Sequence, residues 1–283
     1  EFYAKADALE KLGLPNEAAK WRRYGDNEGH IYKDVNEILM AYQTGAVHLH
    51  TRIALPAKTL KKTCFNSYQN DCYLLTSVGK IIFNNVLPAD FPYINEATES
   101  NLKVTPNDDF VPMGTDIRKE IQSRRVTSEF KKKDLGNLIA AVFDKYNING
   151  TSDILDSLKD MGYLYSTTAG MTVALSDISV APHKDEIVGE GRQKSDQLNA
   201  LRDRGMLTPQ EWERAFSSLW DRVKNNVGDT LMASLPRMNP INMMAVSGAR
   251  GNKNHFTQLA GMRGLMARPT QSKSRKEYQP SII

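Results

Sequence analysis

The sequence predicts a helix-dominated α+β fold built of two modules, an irregular one followed by a helical one that carries an antiparallel helical hairpin. Three observations lead there. Apolar residues recur at helical spacing through much of the C-terminal half, most clearly at Trp212, Phe216, Leu219, Val223 and Val227. Strand-like alternation is confined to short stretches, at Val47, Leu49, Thr51 and Ile53 and again over residues 171–180. Residues 95–129, with Pro106, Pro112, Gly114 and little periodicity, read as the seam between the modules.

Each element follows from its own residues. Leu9 and Leu12, three apart among Ala, Glu and Lys, predict helix over residues 1–24. Leu14-Pro15-Asn16 breaks it, a second short helix reaches Trp21, and residues 25–29 form a polar turn. Residues 38–53 begin helical and turn to strand after Gly45. The apolar run 74–86 leads into Pro88 and Pro92 and so ends extended. Helix resumes with Leu138, Ile139, Val142 and Phe143 on one face, and a shorter stripe follows at Ile154, Leu155 and Leu158. Residues 183–227 give the clearest local structure. Gly205 suits the left-handed residue that ends a helix, Thr208 and Glu211 form a capping box, and Pro209 occupies the first turn, where no N–H is needed. Two antiparallel helices joined by a tight tip follow.

Composition bounds the function. The 283 residues suffice for two domains, and 40% hydrophobic with 25% charged residues is ordinary for a folded soluble protein. No run of about 18 apolar residues exists to span a membrane, and the opening EFYAKADALEKLG lacks the basic-then-apolar pattern of a signal peptide. Without an initiator Met, and ending on YQPSII, the sequence reads as cut from something longer. Two cysteines, Cys64 and Cys72, are too few for a disulfide framework and suit a reducing, cytoplasmic setting. The net charge of +4 is uneven. From Arg237 onward eight Lys or Arg face the single acid Glu277, leaving the preceding residues at −3. A basic end on a slightly acidic body suits an anionic partner, or simply a solvated tail.

Three chemistries compete for the polar residues. His48, His50, Cys64 and Cys72 are four possible zinc ligands, but the eight-residue cysteine spacing fits structural zinc badly. Ser247-Gly248-Ala249-Arg250-Gly251 joins flexible backbone to a guanidinium fork that can grip phosphate, yet it is neither a Walker loop nor a dinucleotide fingerprint. Asp108-Asp109 lies in no D-x-D cluster able to hold paired Mg²⁺, and no catalytic or metal-binding constellation is assigned.

Residues 239–269, NPINMMAVSGARGNKNHFTQLAGMRGLMARP, closely resemble a stretch of the β′ subunit family of bacterial DNA-dependent RNA polymerase. There the pattern reads roughly N-P-x-x-M-M-x-x-S-G-A-R-G-x-x-x-x-x-x-Q-L-x-G-x-R-G-L-M. LMAYQTGAVHLHTRI (39–53), TSVGKIIFNNVLPADFPYIN (76–95), FKKKDLGNLIAAVF (130–143) and YSTTAGMTVALSDI (165–178) agree in the same order, and the likeness looks closest to Gram-positive members. It covers about residues 30–269, leaving a helical segment 1–28 and a basic tail 268–283 unmatched.

The resemblance implies a pore region over 1–127, a funnel or secondary-channel region over 128–236 whose rim is the hairpin 183–227, and the F-loop with its flank over 237–267. It implies an enzyme that makes RNA from nucleoside triphosphates on DNA. Its catalytic Mg²⁺ is held by an N-A-D-F-D-G-D motif absent from these residues, as are the bridge helix and trigger loop. Arg250 would reach the triphosphate, and Gly248 and Gly251 would let the loop move, with Ser247 beside them in the F-loop. Met243 and Met244 would pack adaptably against moving neighbours, although core packing explains them equally. Val246 falls at a variable position and is assigned no role. The mixed-charge tip, with Asp203, Arg204 and Glu211, would dock transcript-cleavage and other channel-entering regulators. Partners would be the β, α, ω and σ subunits, the rest of β′, template DNA and RNA product, with no membrane, in a cytoplasmic, nucleoid-associated complex. The competing reading is a free-standing basic nucleic-acid-binding protein.

Overall fold

The computed structural model describes residues 2–124, 129–266 and 281–282. The chain divides into two compact units, Glu1–Gly170 and Met171–Ile283.

The first unit opens with α1 (Phe2–Lys11) and α2 (Pro15–Asp26), which pack on each other, then α3 (Val35–Gln43), capped by Asp34 accepting from the Glu37 amide at 2.9 Å. A three-stranded antiparallel sheet follows. β1 (Arg52–Pro56) is joined through the short α4 (Ser67–Asn70) to β2 (Cys72–Ser77), which passes directly into α5 (Val78–Val86). β3 (Phe110–Pro112) adds to the other edge of β2, giving the order β1-β2-β3, with Ile53 opposite Thr76 and Leu74 opposite Phe110. The alternation of the central strand sends Cys72 and Leu74 to one face, where Ile38, Val47, Ile53, Leu55, Val78 and Ile81 bury them. On the other face Ala54 and Val111 pack against Ile117 and Ile121 of α6 (Ile117–Ser123). α7 (Lys132–Ala169) is a long helix broken at Asn147, where φ is 56° and ψ is −165°. Its Leu138, Val142 and Ile154 meet Leu87, Phe91, Ile94 and Leu102.

The second unit is the hairpin of α8 (Lys184–Asp203) and α9 (Pro209–Ser234), followed by α10 (Pro240–Ser247), the short α11 (Lys253–Phe256) and one π-helical turn, Thr257–Gly261. β4 (Leu265–Met266) pairs with β5 (Ser281–Ile282). One core serves this unit: Phe216, Trp220, Val223, Val227 and Leu231 of α9 bury against Phe256, Ala260 and Met262.

The helix-dominated α+β character agrees with the sequence reading, and four local expectations change. The strand starts at Arg52 rather than after Gly45, so His48 and His50 sit in a turn. The run 74–86 holds a strand and then a helix, and the extended backbone expected before Pro88 begins only at Leu87, with φ −79° and ψ 140°. An unbroken apolar run fits both states, and here Gly79 donates to the Leu49 carbonyl at 2.8 Å just inside the new helix. Residues 171–180 form no strand. They carry a single 3₁₀ turn, Leu175–Asp177, and leave Val173, Leu175 and Val180 exposed. Finally, residues 95–129 do not separate the compact units, whose division falls at Gly170. The described part of that stretch is bound into the first unit by scattered apolar residues, Leu102, Phe110, Val111, Ile117 and Ile121, and polar bonds hold Thr105 and the backbone just before the stretch. Tyr93 and Thr105 exchange hydrogen bonds (2.9 and 3.2 Å), Gln69 donates to the Thr105 carbonyl (3.1 Å), and Asn84 pairs with both backbone groups of Ile94 (2.8 and 2.9 Å). Hydrophobic periodicity is blind to such bonds.

Candidate functional site

The hairpin tip forms as its residues dictate. Gly205 has φ of 74° and turns the chain out of α8. Thr208 Oγ1 accepts from the Glu211 amide at 3.3 Å, and the Glu211 carboxylate accepts from the Thr208 amide (3.0 Å) and hydroxyl (2.7 Å). These bonds hold the Glu211 carboxyl below its usual range. Asp203 accepts from the Arg202 guanidinium at 3.0 Å, and that guanidinium also lies 4.7 Å from the centre of the Trp212 ring. Of the three expected docking residues, Glu211 is thus occupied with the cap and Asp203 with Arg202, while Arg204 projects into solvent. Met206, which sequence reasoning passed over, is 69% exposed at the apex.

Below the tip the two helices touch through small residues. Gly191 and Ser195 of α8 are buried against α9. A Cβ on Gly191 would lie 2.9 Å from Val223 Cγ2 and 3.5 Å from the Trp220 ring. Gly191 is therefore the contact itself. The buried α9 seam runs Phe216, Trp220, Val223, Val227, Leu231, with Trp212 and Leu219 at its border.

The loop around Arg250 hangs between two anchored ends. Upstream, Asn239 caps α10, accepting from the Ile241 amide at 2.9 Å, while its own amide donates to the Asp177 carbonyl at 2.9 Å. Gly248 ends α10 in the left-handed conformation at φ 75°, and the Ser247 hydroxyl turns back to the Met244 carbonyl at 3.2 Å. The Arg250 amide reaches the same carbonyl at 3.4 Å. Gly251 is again left-handed, at φ 75°. Asn252 then caps α11 through the His255 amide at 2.9 Å. Arg250 is exposed and its side chain pairs with no other described residue. Met243 and Met244 are half-buried. Downstream, Lys253 pairs with Asp229 of α9, and the buried Thr257 lies against Gly228.

The structure does not bring together His48, His50, Cys64 and Cys72, and among the described residues no group of three or more His, Cys, Asp or Glu side chains could hold a metal ion. His48 instead sits among the rings of Phe2, Trp21, Tyr24 and His50, at centroid distances of 5.2–6.0 Å. Burial, with the neighbouring His50, Lys5 and Lys20, pulls its imidazole down to about 4. Cys72 belongs to the apolar core. Residues 2–28 are therefore part of the first unit, tied on by aromatic contacts. Among the described residues Asp108 and Asp109 join no third His, Cys, Asp or Glu in a group that could hold a metal ion. Most of the basic tail, residues 268–283, lies outside the described residues.

A helical hairpin thus leads through one core to an exposed Gly-Ala-Arg-Gly loop. Residues 20–178 match the family RNA polymerase Rpb1, domain 3, and residues 194–282 match RNA polymerase Rpb1, domain 4. The chain belongs to the RNA polymerase Rpb1 family. These matches extend into both terminal segments that motif comparison had left unplaced. The chain is 51% identical over 260 residues (92% of its length) to a DNA-directed RNA polymerase subunit beta' of Halalkalibacterium halodurans, of which it covers 21%. It is 51% identical over 243 residues (86%) to that of Oceanobacillus iheyensis and 49% identical over 243 residues (86%) to that of Geobacillus kaustophilus, covering 20% of each. The chain thus spans about a fifth of the length of the relatives it matches. Among the described residues no helix is long and apolar enough to cross a membrane.

Proposed function

We propose that this chain serves in the catalytic β′ subunit of a DNA-dependent RNA polymerase, lining the path by which nucleoside triphosphates approach the site of RNA synthesis. In this reading residues 1–127 form the pore, 128–236 the funnel with its rim hairpin 183–227, and 237–267 the F-loop and flank. The observation that carries it is Arg250, exposed on a loop bounded by two left-handed glycines, Gly248 and Gly251, whose two ends are fixed to the helical core.

The chemistry follows from that geometry. A triphosphate carries several negative charges, and a guanidinium offers it two parallel charge-assisted hydrogen bonds. The glycines let the backbone close on a ligand without a Cβ in the way, and the adaptable Met243 and Met244 cushion the neighbouring helix. The Mg²⁺ used in nucleotidyl transfer would be held by residues of β′ outside this chain. The β, α, ω and σ subunits, the remainder of β′, template DNA and the RNA product complete the assembly, in the cytoplasm and on the nucleoid. The tip, with Arg204, Met206 and the outer faces of Asp203 and Glu211, would receive transcript-cleavage factors and other proteins that enter the channel.

A photoreactive aryl azide tethered to the γ-phosphate of the incoming nucleotide tests the reading. In a stalled elongation complex of the whole enzyme it should label residues 247–252 in a template-dependent way. Labelling confined to other segments would exclude a triphosphate contact here.

A further inference from the structure

Three glycines carry α9 and the segment after Arg250 into unusually close approach. A Cβ on Gly228 would lie 2.7 Å from Thr257 Oγ1, 3.3 Å from Thr257 Cγ2 and 3.2 Å from Lys253 Cε. A Cβ on Gly261 would lie 3.1 Å from Val227 Cγ1, and one on Gly264 2.9 Å from Lys224 Cδ. The first is the tightest and least forgiving. Lys224 can swing its methylenes away, but Thr257 is 2% exposed and its hydroxyl donates to the Lys253 carbonyl at 2.8 Å. Next to Gly228, Asp229 binds the Lys253 ammonium. Gly228 and Asp229 together therefore grip both ends of one turn, Lys253 and Thr257. Only Gly251 and Asn252 separate that turn from Arg250, and Asn252 is fixed as the cap of α11.

Glycine inside a long helix costs roughly 1 kcal/mol relative to alanine, so a bare backbone inside the 26-residue α9 calls for a reason. We propose that Gly228 is a positioning residue: it seats Thr257 and Lys253 against α9, and that seat sets where the Gly248–Gly251 loop presents Arg250. The inference rests on the reading of Arg250 as a triphosphate contact. A methyl group at 228 pushes the turn off the helix by a fraction of an ångström, and displacements on the ångström scale can cost up to about a hundredfold in a positioned contact.

The test uses whole polymerase and single-nucleotide addition measured against nucleotide concentration. Gly228→Ala should raise the nucleotide KM about tenfold with a much smaller change in kcat, the pattern of lost substrate binding. Thr257→Ala, which removes the atoms in the way, should restore most of the loss when combined with it. In an Arg250→Ala background, Gly228→Ala should change KM no further. Should Gly228→Ala impair assembly, the exposed ion pair gives a second route. Lys253→Asp should raise KM, and the exchange with Asp229→Lys should recover it. A normal KM for Gly228→Ala or Lys253→Asp, beside a raised KM for Arg250→Ala, overturns the positioning role alone. A raised KM for the seat variants with a normal KM for Arg250→Ala overturns both this inference and the Arg250 reading.

Discussion

Gly191 of α8 lies so close to Val223 of α9 that a Cβ there would sit 2.9 Å from Val223 Cγ2, with the Trp220 ring 3.5 Å away. The hairpin is therefore closed by a glycine-on-valine contact at the level of its largest buried side chain. Gly191→Val should destabilise the second unit by about 1–3 kcal/mol, because overpacking outweighs the modest gain in helix propensity. Denaturant melts of the purified chain, followed by Trp fluorescence, report the change. Unaltered stability would mean that the helices can part here freely.

Thr208→Ala removes the side-chain cap of α9 and should cost about 1 kcal/mol. It should also release Glu211, whose carboxyl is held low by hydrogen bonds from Thr208. A carboxyl depressed by folding adds stability above its unfolded pKa, and that stability is lost as pH falls through the lower folded value. In the variant this acid-side loss should shrink and the Glu211 titration, followed by NMR, should move upward. A titration that stays where it was would show that Thr208 does not set it.

Asp109 has the opposite sign. One carboxylate oxygen is buried with no hydrogen-bond partner among the described residues, and burial pushes the group up to about 6, against the pull of Asn95, Lys80 and Arg124, with Glu96 adding to the rise. The folded chain then holds this proton more tightly than the unfolded chain, whose value is about 3.9. Stability should decline as pH rises from about 4 to about 6 and stay reduced above that. Asp109→Asn should stabilise the first unit at neutral pH by about 1–3 kcal/mol and flatten that interval. Melts between pH 4 and 8 check both, and an unchanged profile would place the carboxylate in water.

At the tip, replacing Asp203 and Arg204 together should weaken binding of transcript-cleavage factors to the whole enzyme while leaving elongation on DNA nearly unchanged. Met206→Ser should weaken it as well, since an exposed methionine at a projecting apex offers adaptable apolar contact. Binding of labelled factor, set beside elongation rate at several salt concentrations, separates protein docking from a phosphate contact. A change in the salt dependence of DNA binding would point to nucleic acid instead.

Much of the second unit was legible because its information is local. The Gly205 turn, the Thr208–Glu211 box, Pro209 and the stripe through Phe216, Val223 and Val227 state the hairpin within 45 residues, and the resemblance of residues 239–269 states the loop. What stayed hidden depends on partners distant in sequence. Gly191 and Gly228 look like weak points of helices until the atoms facing them are known. Trp220 replaces Leu219 at the centre of the seam because a 3.6-residue period leaves two neighbouring candidates at that level. In the first unit, Asn84, Tyr93 and Thr105 fix irregular backbone through polar bonds that no periodicity announces. The alternation at residues 171–180 misled because a strand also needs a neighbour to pair with. For the candidate site, Arg250 was found through its motif, while Lys253 and Thr257, which hold the turn beside it, carry no motif of their own.

The most direct measurement of the central claim is single-nucleotide addition by the whole polymerase, followed against nucleotide concentration, with Arg250 intact, Arg250→Lys and Arg250→Ala. A charge-assisted hydrogen bond is worth about 1.5–3 kcal/mol, so Arg250→Ala should lower kcat/KM by about ten- to a hundredfold. Arg250→Lys should recover part of it, keeping the charge without the planar fork, and open-complex formation on DNA should be unaffected. An Arg250→Ala enzyme with an unchanged concentration curve, or with only reduced assembly and thermal stability, would contradict the assignment and leave Arg250 as a brace of its loop.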